Sequence, residues 1–132
     1  LVRTCAQRLR RATDDDNDAF EVFNNAQDHL LKVGQARTER VVLEAFVQAI
    51  NDCDSRAAAE LLGKVCDLFV YSALEADLGW FMMHRHISVE RAKAIRRGVN
   101  ELCRDLRPYA ATLVDAFGIP EELMGAPMIE NH

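Results

Sequence analysis

His84-x-His86 is the first place to look for chemistry in this chain, because imidazoles are the commonest metal ligands. Spaced two residues apart at a helix end, the rings point to different sides, and no third Cys or His lies nearby in sequence. A helix-end cation pair is therefore favoured over a metal site. The acidic run Asp14-Asp15-Asp16-Asn17-Asp18 lacks the Gly that a calcium loop needs at its sixth position, and Asn25 stands where the twelfth-position Glu belongs. It reads as a loop and N-cap. Cys5, Cys53, Cys66 and Cys103 lie far apart with no C-x-x-C pair, and read as reduced, small apolar residues of a cytosolic-type compartment. Arg3, Arg8, Arg10 and Arg11 make a positive end, suited to an anionic ligand or to a solvated helix C-terminus. Gln27, on an apolar stripe, is a satisfied core amide or a ligand contact. Asp115, between Val114 and Ala116, is expected to be a partly buried structural carboxylate.

No Gly-rich phosphate loop, H-E-x-x-H, G-x-S-x-G or paired-Cys box occurs in the sequence. The residues assign no catalytic group and no metal ligand, and cofactor-binding residues cannot be named from them.

The elements that would position these groups are helices. Arg56–His84 is the most apolar long stretch, with Leu62, Cys66, Phe69, Ala73, Ala76, Trp80 and Met83 recurring at steps of three and four. Further apolar rows widen that surface, so the stretch is expected to be one central helix inside a bundle, running roughly 43 Å. It contains no uncharged run of the ~18–20 residues that a membrane span requires. Upstream, Asp18–Ile50 forms a second long helix, with Phe20, Phe23, Gln27, Leu30, Gly34, Thr38, Val41 and Ala45 on its inner stripe. Gly34 there is expected to admit a neighbouring helix closely. Asp54 or Ser55 caps the central helix. Ser88 caps a third long helix, whose stripe is Ala92, Ile95, Val99, Leu102 and Leu106 and whose outer face is basic (Arg91, Lys93, Arg96, Arg97, Arg104). Cys103 falls on the edge of its core row. Pro108 ends it, with Arg107 pushed away from helical geometry. A short helix over Tyr109–Phe117 turns Leu113, Val114 and Phe117 inward, Gly118 terminates it, and Pro120 opens a last turn over Glu121–Met124 before a loose tail. Leu1–Thr13 reads as a short N-terminal helix.

With 132 residues, three prolines and six glycines, and no strand-type alternation, the chain is expected to be one all-α domain: a bundle of three long helices with short N- and C-terminal helices. The net charge of −5 argues against a nucleic-acid partner. The chain opens mid-pattern without Met, shows no signal peptide, and reads as a piece of a longer protein.

The run Leu113-Val114-Asp115-Ala116-Phe117-Gly118-Ile119-Pro120-Glu121-Glu122-Leu123, preceded by Val99-Asn100-Glu101-Leu102-Cys103-Arg104-Asp105-Leu106-Arg107-Pro108, resembles the end of acyl-CoA oxidases. Phe23–Leu31 with Glu39–Phe46, and Leu74–Phe81, resemble earlier helices of the same C-terminal domain, in the same order. The resemblance implies a parent flavoenzyme that carries FAD, converts an acyl-CoA to a trans-2-enoyl-CoA with molecular oxygen, and releases hydrogen peroxide. The family's base and most of its flavin site lie in earlier domains, so no catalytic residue maps onto this chain, and the piece alone is expected to be inactive and to hold no flavin. Its implied partners are the remaining domains of the same chain and a second subunit, with acyl-CoA met only through the parent. A stand-alone helical interaction module, and the same domain on a dehydrogenase, are the rival readings. The chain ends Glu130-Asn131-His132 rather than in a peroxisomal S-K-L signal, which leans towards a bacterial cytoplasmic parent or a truncated end, with a peroxisomal parent expected if the source is eukaryotic.

Overall fold

The computed structural model describes Arg3, Ala6, Gln7, Arg10 and residues 19–120. Those first four have helical backbone and are exposed. The rest of the expected N-terminal helix, the Asp14–Asp18 loop, Cys5, the turn over Glu121–Met124 and the tail lie outside the described residues. The described residues hold helices and turns and no strand, and three of the helices are long. The chain divides into two compact units, residues 1–54 and 55–132.

In the first unit, Ala19–Asn51 form α1, 33 residues long. Its solvent side is laced by contacts one turn apart: Arg40 Nε to Glu44 Oε1 at 2.7 Å and Gln35 Nε2 to Glu39 Oε1 at 2.7 Å. Such pairs support a helix by a few tenths of a kcal/mol each. The apolar residues do not form a single stripe. Val22 is buried and Ala26, Leu30 and Val33 are half-buried, whereas Phe23, Leu31 and Val41 are exposed. Gln27 is exposed and donates through Nε2 to Asn24 Oδ1 at 3.0 Å, so it is not the buried amide its position suggested. Gly34 is exposed, with nothing within 4 Å of where a Cβ would stand. Periodicity groups these residues on one face but cannot say whether that face meets a neighbour.

The second unit is a helical hairpin: α2 (Arg56–Ala76), α3 (Leu78–Met83), α4 (Val89–Leu106), a 3₁₀ turn (Arg107–Tyr109) and α5 (Ala110–Asp115). Ser55 caps α2, its hydroxyl accepting from the Ala58 amide, and Ser88 caps α4 by accepting from the Arg91 amide, both at 3.3 Å. Each supplies an acceptor to an amide that has no partner inside its helix. Helices α2 and α4 pack antiparallel, because Lys64 meets Asp105 at 3.3 Å, Tyr71 lies against Gly98, and Glu75 meets Arg96 at 3.5 Å. The core sits at the closed end, where Leu78, Ala92 and Ile95 are buried with Leu74 and Ile87 packed on them. Cys66 and Leu106 are buried towards the other end.

The central stretch is not one helix to His84: Asp77 leaves helical geometry (φ −112°, ψ 19°) and α3 starts anew at Leu78. Asp prefers caps to helix interiors and Gly79 follows it closely, so this is the weakest point of the stretch. After the break Leu78 takes the buried position, while Trp80 and Met83, placed inside by simple periodicity, are exposed. Arg107 remains helical (φ −51°, ψ −42°), with its amide donating to the Cys103 carbonyl, because Pro108 enters the first turn of a 3₁₀ segment where no amide is required of it. Beyond it, Leu113 is half-buried but Val114 and Phe117 are exposed, and Asp115 is exposed as well. Gly118 does take the left-handed conformation (φ +59°) that ends α5.

Candidate functional site

The densest cluster of chemically capable side chains closes α3. His84 ends the helix, the Arg85 amide donates to the Met82 carbonyl at 3.0 Å, and the His86 amide reaches back to the Phe81 carbonyl at 2.9 Å. This is a Schellman turn whose left-handed residue is Arg85 (φ +58°) instead of the usual glycine. The turn brings His84 and His86 to the same side. Their rings lie nearly parallel, 6.3 Å apart, and Trp80 stacks on His84 at 4.3 Å. The spacing argument that set the two rings on different sides assumed a continuing helix end, and the turn overrides it.

The Trp80 carbonyl fixes one nitrogen of the pair. His84 Nδ1 lies 2.8 Å from the Trp80 carbonyl oxygen. A carbonyl only accepts, so that nitrogen carries the hydrogen and is not a ligand atom. Among the described residues no group of three His, Cys, Asp or Glu side chains is placed to hold a metal ion. Arg85→Gly is expected to stabilise the chain by about 1 kcal/mol, since it removes the left-handed cost of a Cβ. A rise in the urea midpoint at constant m would show it, and an unchanged or lower midpoint would contradict the strain argument.

The basic side of α4 is as expected: Arg91, Lys93, Arg96, Arg97 and Arg104 are all exposed. Arg96 is tied to Glu75, and Glu90, Lys93, Arg96 and Arg97 border a shallow open groove. A backbone amide and the Ser88 hydroxyl hold the Glu90 carboxyl below the usual carboxylate range. On α1 the hydrogen bond from Arg40, then its charge, does the same for Glu44. These are exposed groups of the kind that stabilise little.

Cys66 is buried and Cys103 is exposed, contrary to the core-edge position expected for the latter. Burial, with the Asp67 charge adding to it, pushes the Cys66 thiol up. With Cys5 and Cys53 replaced by serine, Ellman's reagent at pH 8 should titrate one thiol at once and the second only on unfolding. Two fast thiols would refute this placement.

No buried side-chain nitrogen or oxygen among the described residues lacks a hydrogen-bond partner. The character of the chain shows instead in comparison with known proteins. The family model described as acyl-CoA oxidase matches residues 1–128. The chain belongs to the acyl-CoA oxidase family. It is 29% identical over 128 residues to the peroxisomal acyl-coenzyme A oxidase 2 of Arabidopsis thaliana, covering 97% of this chain and 18% of that protein. It is 29% identical over 128 residues to the acyl-coenzyme A oxidase-like protein of Mus musculus, covering 96% of this chain and 20% of that one. The structure is similar to that of acyl-CoA oxidase-1 from Caenorhabditis elegans, with a TM-score of 0.78 at 17% identity over 89% of this chain and 19% of that one. At that identity the likeness establishes the fold. The chain spans about a fifth of the length of the curated acyl-CoA oxidase relatives it matches.

Proposed function

We propose that this chain is the C-terminal helical domain of an acyl-CoA oxidase, and that its own work is structural. It packs on the catalytic domains and supports the dimer. The parent, on this reading, uses FAD to oxidise an acyl-CoA to a trans-2-enoyl-CoA at the expense of molecular oxygen, giving hydrogen peroxide. The observation that carries the reading is the match along nearly the whole chain to about a fifth of the Arabidopsis and mouse relatives, joined to the large apolar residues exposed in both units. A domain that packs on others displays such a surface when considered alone.

The described residues do not fit a flavin themselves. The grooves bordered by Phe23, Gln27, Leu30 and Leu31 and by Leu43, Glu44, Val47 and Gln48 are open and lined mainly by apolar atoms. No polar or charged side chain among the described residues is buried. Among the described residues no helix is long and apolar enough to cross a membrane. Relatives named peroxisomal support a peroxisomal parent if the source is eukaryotic; a bacterial parent would act in the cytoplasm.

The test is made on the native protein from its own cell: polypeptide mass, flavin absorbance, and peroxide release with an acyl-CoA. A long, yellow, peroxide-producing chain is expected. Long and yellow without peroxide would make the parent a dehydrogenase. A colourless chain of about this size would leave a stand-alone helical module.

A further inference from the structure

The turn after α3 does more than end a helix. Arg85 holds a left-handed conformation (φ +58°) that disfavours any residue with a Cβ. An outlier of this kind is a reason to ask what the local geometry achieves. Here it achieves the juxtaposition of two imidazoles. In a continuing helix His84 and His86 would be separated by roughly 200° of rotation. The turn sets them on one side instead, and the whole arrangement lies within residues 80–86 of the second unit.

His84 is prepared as a ligand. Its Nδ1 donates to the Trp80 carbonyl at 2.8 Å, so the free lone pair sits on Nε2. A metal-bound imidazole usually gives its other N–H to a carbonyl in this way, which fixes both tautomer and ring direction. Trp80 braces both rings. Its centroid is 4.3 Å from that of His84 and 5.7 Å from that of His86, with the planes tilted by 27° and 30°. Both histidines are exposed, as is Arg85 between them.

The ring separation selects the ion. With metal–nitrogen bonds of about 2.0–2.1 Å, each ring centroid stands roughly 3.2 Å from the metal. Two imidazoles on one ion then lie about 5.2 Å apart at a tetrahedral angle and about 6.4 Å apart when opposed in line. His84 and His86 are 6.3 Å apart, with their planes 8° from parallel. That is the separation of two rings on opposite sides of one ion. Zinc takes four ligands in a tetrahedron, and among the described residues no third His, Cys, Asp or Glu joins the pair. Calcium and magnesium take oxygen ligands. Monovalent copper accepts imidazole and is satisfied by two ligands in line. The charged residue between the ligands is Arg85, a cation, which opposes a divalent ion more than a monovalent one.

We propose that His84 Nε2 and one ring nitrogen of His86 hold a monovalent copper ion in linear, two-coordinate geometry. The ion binds as Cu(I), and no redox step is involved.

The experiment uses the whole chain with Cys5, Cys53 and Cys103 replaced by serine, so that thiols do not compete. Cu(I) is added without oxygen as its acetonitrile complex. Binding is followed by Trp80 fluorescence and by competition with a chromophoric Cu(I) chelator. One equivalent should bind saturably and change the fluorescence, and zinc chloride at the same concentration should not. His84→Ala and His86→Ala should each weaken Cu(I) binding by ~10-fold or more. His86 lies beyond the end of α3, so its variant tests the site even if His84→Ala frays the helix, and unchanged far-UV ellipticity checks this. Arg85→Gly keeps the left-handed turn and should keep the site; loss of binding there would overturn the assignment to the two rings. Cu(I) binding that survives removal of either imidazole, or no saturable binding, would overturn the proposal. Zinc binding of equal strength would overturn the linear geometry on which it rests.

Discussion

Gly98→Val is expected to destabilise the α2–α4 hairpin by about 1–3 kcal/mol, the usual range for forcing extra volume into a close contact. A Cβ built on Gly98 comes 2.6 Å from Tyr71 Cε2 and 2.8 Å from Cδ2, closer than real carbon atoms approach. Something must move. The ring is part-exposed and can swing away, but it then gives up the contact that sets the spacing of the two helices. Alanine tests the balance less sharply, because the gain of up to about 1 kcal/mol from replacing a mid-helix Gly offsets part of the clash. Valine adds a second branch whose rotamer a helix restricts, so the ring cannot be accommodated by a side-chain turn. The cause is isolated by Tyr71→Ala. In that background the Gly98 substitutions should lose their cost, and Gly98→Ala should become stabilising. Urea unfolding of the four combinations gives the coupling directly. Equal costs for Gly98→Val in both backgrounds would refute the contact as the reason for the glycine.

Gly34 and Gly98 together show where sequence reasoning stops. Both are mid-helix glycines, and the one expected to admit a neighbour, Gly34, has open space, while Gly98 receives Tyr71. Spacing identifies which residues share a face; it does not identify which face has a partner. The helix limits were more legible because caps act locally. Ser55 and Ser88 sit one residue ahead of α2 and α4 and do accept from the first turn. The stripe of α4 was legible for a related reason, since its opposite side is densely charged and leaves a single apolar face: Ala92, Ile95 and Leu106 are all buried. Apolar residues surround most of the stretch after Arg56, so the break at Asp77 could not be seen in them. The pairing of His84 with His86 was hidden as well, because the left-handed turn that produces it carries Arg85 where a glycine would have announced it. The family was legible at the other end of the scale, in the ordered run Leu113–Leu123, whose residues 114–120 are exposed and so are not chosen by burial.

Leu78→Ala is expected to cost about 2–4 kcal/mol, the range for truncating a leucine in a core that cannot collapse around the loss. Leu78 is 8% exposed, the one buried residue of α3, and it is held by Ala92 and Ile95 of α4 with Leu74 and Ile87 around them. The neighbours are tied to two packed helices, so they cannot close over the cavity without moving the hairpin. The loss should also be local before it is global. Six residues cannot sustain a helix in water without packing, so α3 depends on this anchor. Trp80 is the only tryptophan of the chain, and it lies on α3 stacked against His84. Its fluorescence therefore reports on this segment, while far-UV ellipticity reports on the long helices. In Leu78→Ala the fluorescence transition should run ahead of the ellipticity transition in urea. Met83→Ala, on the same helix at 76% exposed, should stay within about 0.5 kcal/mol of the parent sequence, as exposed sites away from packing do. If Leu78 and Met83 proved equally tolerant, the break at Asp77 would not be what sets the buried register, and the uninterrupted helix with Trp80 and Met83 facing inward would have to be restored.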